Sequence, residues 1–106
     1  MADVSIDDMW TEALSAYKLG SIKSAKDIFS IIAQSDPRLL FNLACLYIEE
    51  KNYFLALKLL KDALIMDSSF SVAYFQRAYV RYHQGNYESA YKNYSKTLMV
   101  RTCFLI

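Results

Sequence analysis

The stretch FNLACLYIEEKNYFLALKLLKDAL, residues 41–64, decides the fold, because its pattern returns 34 residues later as FQRAYVRYHQGNYESAYKNYSKTL, residues 75–98. Small and aromatic residues recur in register in the two copies. The matching pairs are Phe41 with Phe75, Ala44 with Ala78, Asn52 with Asn86, Tyr53 with Tyr87, Ala56 with Ala90, and Leu64 with Leu98. A fixed internal period of this length indicates one structural unit that is stacked on copies of itself.

A period of 34 residues is that of the tetratricopeptide repeat, in which each copy is a pair of helices. The recurring alanines fit this unit, because two helix backbones that approach closely leave room only for a methyl group. The same frame, three residues shorter, precedes the first copy. Trp10, Ala13, Ala25 and Phe29 lie 31 residues before Phe41, Ala44, Ala56 and Leu60. In the third copy Arg77, Arg81 and Thr97 replace the usual Leu, Tyr and Ala.

We therefore predict an all-α fold, a right-handed superhelical stack of three tetratricopeptide repeats in a single domain over residues 1–106. The repeats span approximately residues 6–36, 37–70 and 71–104, with helices at roughly 5–19, 22–34, 37–50, 53–66, 71–84 and 87–100. Local signals mark several helix ends. They are a capping box at Ser5 and Asp8, turns at Gly20 and Gly85, and Pro37 in a first helical turn.

Composition excludes several classes of function. The net charge of +1 gives no electrostatic footprint for nucleic acid, and no apolar run reaches the roughly 18 residues that span a bilayer. We expect a cytoplasmic protein in which Cys45 and Cys103 are reduced thiols, because their spacing matches no metal site. His83 is the only histidine, and no nucleophile can be assigned to it. We therefore expect no catalytic residues, no metal and no cofactor.

The first helix of each repeat lines the concave face of such a stack, so its side chains are candidates for binding a peptide. We predict a groove lined by Trp10, Phe41, Asn42, Phe75, Tyr79 and Tyr82. The alternative is that many of these rings belong to the core. A carboxylate clamp of the kind that holds chaperone tails is not expected, because Asn42 alone matches its pattern and one amide cannot neutralise two carboxylates.

Beyond the repeat itself, the chain resembles one particular family. The pair Phe41-Asn42, then Asp67, then the run from Val72 to Arg77 resemble the amino-terminal domain of the NADPH oxidase activators. These are the phagocyte cytosolic factor, its oxidase-activator paralogue and the fungal oxidase regulators. The resemblance implies a non-catalytic adaptor that binds a Rac-type small GTPase in its GTP form. It also implies recruitment to a membrane NADPH oxidase complex and a role in superoxide production.

In that family the GTPase meets the edge formed by the connectors between repeats. The resemblance therefore implies a GTPase-binding site at Arg38, Asp67, Ser69 and Arg101. Three positions depart from the family pattern: Ser69 replaces a histidine, Pro37 replaces a serine, and Arg101 lies one position before the family's arginine.

The carboxyl end also departs from the family. The chain ends before the family's hairpin insertion and fourth repeat, so we expect a truncated form. It ends in Cys-Phe-Leu-Ile, which has the form of a prenylation box. The alternative function is that of a generic scaffold, which docks a peptide in its aromatic groove or associates with itself.

Overall fold

A computed structural model of the chain describes residues 5–94, and these residues are helical apart from short connectors. The helices are α1 (Ile6–Lys18), α2 (Ile22–Ile32), α3 (Pro37–Glu49), α4 (Tyr53–Met66), α5 (Ser71–His83) and α6 (Tyr87–Tyr94), with a 3-10 turn at Ala33–Ser35. Helices pack in consecutive pairs, α1 with α2, α3 with α4 and α5 with α6, and the pairs stack through α2 on α3 and α4 on α5. The predicted all-α class is confirmed. The expected end of the last helix near residue 100 lies outside the described residues.

The helix starts follow the local signals of the sequence. The Ser5 hydroxyl accepts a hydrogen bond from the Asp8 amide at 3.0 Å, which confirms the predicted cap of α1. Pro37 occupies the first turn of α3, where its missing N–H costs nothing. The Asp36 carboxylate precedes it and accepts from the Arg38 amide at 2.8 Å.

All three hairpins turn in the same way. Each turn contains one residue with positive φ, at Gly20 (85°), Lys51 (61°) and Gly85 (80°). The next amide in each turn donates to a carbonyl five residues earlier. These bonds are Ser21 to Ala16 at 2.9 Å, Asn52 to Tyr47 at 2.9 Å, and Asn86 to Arg81 at 2.8 Å. This is the Schellman pattern, which satisfies the last carbonyls of the first helix and starts the second.

The core lies where the sequence places the small residues. All six alanines of the repeat frame are buried: Ala13, Ala25, Ala44, Ala56, Ala78 and Ala90. Phe29 and Leu60 are fully buried between helices. Tyr94, on the last described helix, is 40% exposed. Among the described helices, none follows α6 to cover the outer side of Tyr94.

Cys45 also differs from its prediction. It is buried on α3 and disulfide-bonded, so the expectation of a reduced thiol at this position is wrong. The other cysteine of the chain, Cys103, lies outside the described residues.

Candidate protein-binding surfaces

The connectors between repeats form the first candidate surface. Consecutive helices reverse direction, so the α2–α3 and α4–α5 connectors lie at the same end of the stack. Arg38 stands at the first connector, while Asp67 and Ser69 stand at the second. The fold thus brings three of the four predicted GTPase-binding residues to one end. The fourth, Arg101, lies outside the described residues.

Asp67 ends α4 and is half-buried. Its Oδ1 accepts two hydrogen bonds from Ser69, one from the backbone N–H at 3.0 Å and one from the hydroxyl at 2.6 Å. These bonds favour the charged form and hold the pKa of the Asp67 carboxyl below its ordinary value. Two of the predicted site residues therefore form a single turn, in which the aspartate is ionised and oriented at neutral pH.

Arg38 is more tightly engaged. Its guanidinium forms a paired contact with the Asp36 carboxylate, with Nη2 to Oδ2 at 2.7 Å and Nε to Oδ1 at 3.1 Å. It also lies over the Trp10 ring, 4.9 Å from the centroid. The hydrogen bond from Arg38 lowers the pKa of Asp36 and, reciprocally, raises the pKa of Arg38. The Arg38 side chain is half exposed, so a partner can contact it. The partner would meet a guanidinium that is already paired with the Asp36 carboxylate.

The predicted groove divides into a buried part and an exposed part. Phe41 is 1% exposed and packs edge-on against Phe70 at 5.7 Å, and Asn42 is 0% exposed. These two residues belong to the core, because α3 is the central helix and is covered by the first repeat on one side and by α5 on the other. In this structure neither presents a surface to a peptide. Trp10 is partly buried beneath Arg38.

The rings on α5 are the accessible ones. Tyr79 and Tyr82 are 37% and 54% exposed, and both pack against His83. Phe75 is partly buried and meets Tyr94 edge-on at 5.6 Å. The three predicted groove residues of the third repeat therefore form an aromatic strip on the last hairpin.

The structure also contains a cleft between α4 and α5, which the sequence analysis did not predict. It has a volume of about 480 Å³ and is lined by Phe54, Leu57, Lys58, Lys61, Arg77, Arg81 and Gln84. The signal that marks it is the pair Arg77 and Arg81, at positions where the repeat usually has Leu and Tyr. The α4 residues that line the cleft together with Arg77 and Arg81 are identified only from the packing of α4 against α5.

Two other kinds of site were sought in the structure. Over residues 5–94 no helix is both long and apolar enough to cross a bilayer. The same part of the chain holds no group of His, Cys, Asp and Glu side chains that could bind a metal ion.

Comparison with known proteins agrees with this architecture. No family model matches the chain. In sequence it is 31% identical over 99 residues to human neutrophil cytosol factor 2, and 24% identical over 89 residues to the NADPH oxidase activator of Dictyostelium discoideum. The described helices have the architecture of tetratricopeptide repeats, and the sequence is similar to parts of these two proteins. These matches cover 93% and 84% of the chain but only 19% and 15% of the two relatives, so the chain spans less than a fifth of their length.

A solved structure shows the same fold. The second tetratricopeptide-repeat domain of Spaghetti (RPAP3), solved with the HSP90 peptide SRMEEVD, superposes with a TM-score of 0.78 at 22% identity. The alignment covers 86% of this chain and 87% of that one. At this level of identity the likeness establishes the helical repeat architecture.

Proposed function

We propose that the chain is a non-catalytic, cytoplasmic adaptor that binds a Rac-type small GTPase in its GTP form through the connector end. In this role it would be recruited to a membrane NADPH oxidase complex and promote superoxide production. The name of one sequence relative, the NADPH oxidase activator of Dictyostelium discoideum, supports the oxidase context. The Asp67–Ser69 turn is the observation that carries the proposal for the site.

The turn suits a protein contact for two reasons. Both hydrogen bonds from Ser69 fall on Oδ1, and Oδ2 receives none from residues 5–94, so this oxygen can accept a donor from a partner. The turn also holds the carboxylate in one orientation before binding, which reduces the entropy that association costs. By the same reasoning Arg38 contributes less than Asp67, because Asp36 already occupies its guanidinium.

The proposal is tested by titrating the chain with a Rac-type GTPase loaded with a GTP analogue or with GDP. The GTP-analogue form is expected to bind more tightly, since the nucleotide rearranges the switch loops. Asp67→Ala removes a charge-assisted contact and should weaken binding about tenfold or more. Circular dichroism should show unchanged helicity.

Asp27→Ala is the matched control, because Asp27 is an exposed aspartate on α2 that pairs only with Lys23. It should leave GTPase affinity unchanged. Equal binding of both nucleotide forms, or undiminished binding by Asp67→Ala, would refute the adaptor role at this site.

The exposed rings favour a second candidate function, that of a scaffold which docks a peptide on the aromatic strip of α5. Tyr79 and Tyr82 offer apolar faces with hydroxyls at the rim, a combination common in binding surfaces. Tyr82→Ala should weaken peptide binding and leave GTPase binding intact, whereas Asp67→Ala should do the reverse. The two variants therefore separate the two functions.

A further inference from the structure

The cleft between α4 and α5 concentrates positive charge. Lys58 and Lys61 contribute from α4, while Arg77 and Arg81 contribute from α5. Among the residues that the structure describes, no acidic side chain lines it. The chain as a whole carries a net charge of only +1, so this cluster is a local feature and not part of a general basic surface.

These four cations have no anionic partner within residues 5–94. Four other basic side chains in that part of the chain form ion pairs, namely Lys23 with Asp27, Lys26 with Glu50, Arg38 with Asp36, and Lys92 with Glu88, whereas Lys18 and Lys51 form none there. In the cleft, Arg77 donates to the neutral Asn93 amide oxygen at 2.6 Å, and Arg81 donates to the Gln84 amide oxygen at 3.2 Å. The charge of the cluster is therefore left uncompensated by the described fold.

Burial sharpens this imbalance. The Nε atom of Arg81 is enclosed and has no hydrogen-bond acceptor within residues 5–94. Burial is the main cause that lowers the pKa of Arg77; the nearby Tyr74 opposes this shift, and the charge of Arg81 adds to it. A bound anion would supply a hydrogen-bond acceptor for the Nε atom of Arg81. It would also place a negative charge beside the two guanidinium groups.

The cleft also has an apolar side. Phe54 is 78% exposed, and Leu57 lies beside it one helical turn along α4. A free phosphate or a lipid headgroup has no group that would bury these side chains. An acidic peptide does have such a group. An apolar residue between its carboxylates can cover Phe54 while the carboxylates contact the cations. The volume of about 480 Å³ lies within the range of roughly 300–1,000 Å³ that is usual for ligand sites.

We propose that the α4–α5 cleft binds an acidic protein segment, with Asp or Glu carboxylates on Lys58, Lys61 and Arg81 and an apolar side chain on Phe54 and Leu57. The cleft is distinct from the connector end. Phe54 lies in the first turn of α4 and Gln84 follows α5, so the cleft opens toward the hairpin turns, whereas Asp67 stands at the opposite end of α4. An acidic segment and a GTPase could therefore bind together, and the inference does not rest on the proposed GTPase role.

The test uses a fluorescein-labelled peptide, Gly-Glu-Leu-Glu-Asp-Leu-Glu-Gly, and measures its fluorescence anisotropy with the 106-residue chain. Binding is expected, and it should weaken as salt rises because exposed charge pairs are screened. The double variant Lys58→Gln, Lys61→Gln should bind the peptide about tenfold more weakly or worse. Arg81→Gln should also weaken binding, and circular dichroism should show that each variant retains its helicity.

The matched control is the double variant Lys18→Gln, Lys23→Gln, which loses the same charge at exposed positions on the first hairpin. It should bind like the parent, and a peptide with Gln and Asn in place of Glu and Asp should not bind. The proposal is overturned by any of three results: no binding of the acidic peptide, equal losses in the two double variants, or unchanged binding by the cleft variants. It is equally overturned if only inorganic phosphate or phosphatidylserine vesicles bind at the cleft. The assay contains no GTPase, so its outcome is separate from that of the GTPase titration.

Discussion

At the scale of single residues, Lys51 carries a backbone cost that its counterparts avoid. It occupies in the second hairpin the position of Gly20 in the first and Gly85 in the third, and all three have positive φ. A side chain in this left-handed conformation brings Cβ close to the following carbonyl, whereas glycine has no such contact. The Schellman turn demands this conformation whatever residue is present.

We therefore expect Lys51→Gly to raise the free energy of unfolding by about 0.5–1 kcal/mol, because it removes this strain. Gly85→Ala should lower the free energy of unfolding by about 1 kcal/mol, and this cost comes from the backbone alone because no atom lies within 4 Å of the added methyl. Urea denaturation measures both. Lys51→Ala is the control, and a gain from alanine equal to that from glycine would contradict the explanation.

A second prediction at this scale concerns acid stability. The folded-state pKa of Asp36 is lowered by Arg38, so its contribution is present above the ordinary value of 3.8 and is lost as pH falls through the lower folded value. Asp36→Asn keeps a capping oxygen but removes the titration. Its free energy of unfolding should therefore vary less with pH below about 4 than that of the parent. Denaturation at a series of pH values checks this, with Asp27→Asn as the control; identical acid profiles for parent and Asp36→Asn would refute it.

At the scale of elements, α3 is the helix that ties the stack together. Residues 39–46 are all buried, because the helix contacts its own partner α4, the first repeat and α5. The outer helices bury one face each; α1, for example, has only Ala13 fully enclosed. Stability is therefore expected to depend most on the central helix.

Leu46→Ala, in the middle of α3, should lower the free energy of unfolding by about 2–5 kcal/mol, through lost burial and the cavity that remains. Leu19→Ala removes the same atoms from a side chain that is 86% exposed, so it should have little effect. Thermal or chemical denaturation of the two variants measures the contrast. Similar losses in both would show that α3 is not the central packing element.

At the scale of the whole molecule, the candidate surfaces lie on different parts of the stack. The connector end holds Asp67 and Ser69, and the α4–α5 cleft opens toward the hairpin turns. The last hairpin adds exposed rings at Tyr82, Tyr87 and Tyr91. Clustered apolar rings of this kind are typical of association surfaces.

We predict that the chain self-associates through these rings. Light scattering over a concentration series should show the mean mass rising with concentration. The double variant Tyr87→Ser, Tyr91→Ser should reduce this rise, because it removes two of the largest exposed faces. Phe54→Ser, which removes a comparably exposed ring from another part of the stack, should not. A strict monomer at every concentration would refute the prediction.

The helices and their pairing into repeats follow from local and periodic features of the amino-acid sequence. The 34-residue period, the alanines at close contacts and the signals at Ser5, Pro37, Gly20 and Gly85 all act over a few residues or recur at a fixed spacing. Such features set backbone conformation and helix approach directly. They can therefore be recognised before any contact between repeats is known.

Which side chains remain accessible, and which distant residues meet, depends on the packing of the helices in three dimensions. Phe41 and Asn42 fit the pattern of a groove, but they are enclosed because α3 has neighbours on both sides. The cations of the α4–α5 cleft come from two helices, and no local rule relates Lys58 to Arg81. Burial and charge clustering depend on how the helices pack. That packing results from all the contacts between helices together, so a repeat pattern in the sequence does not reveal it.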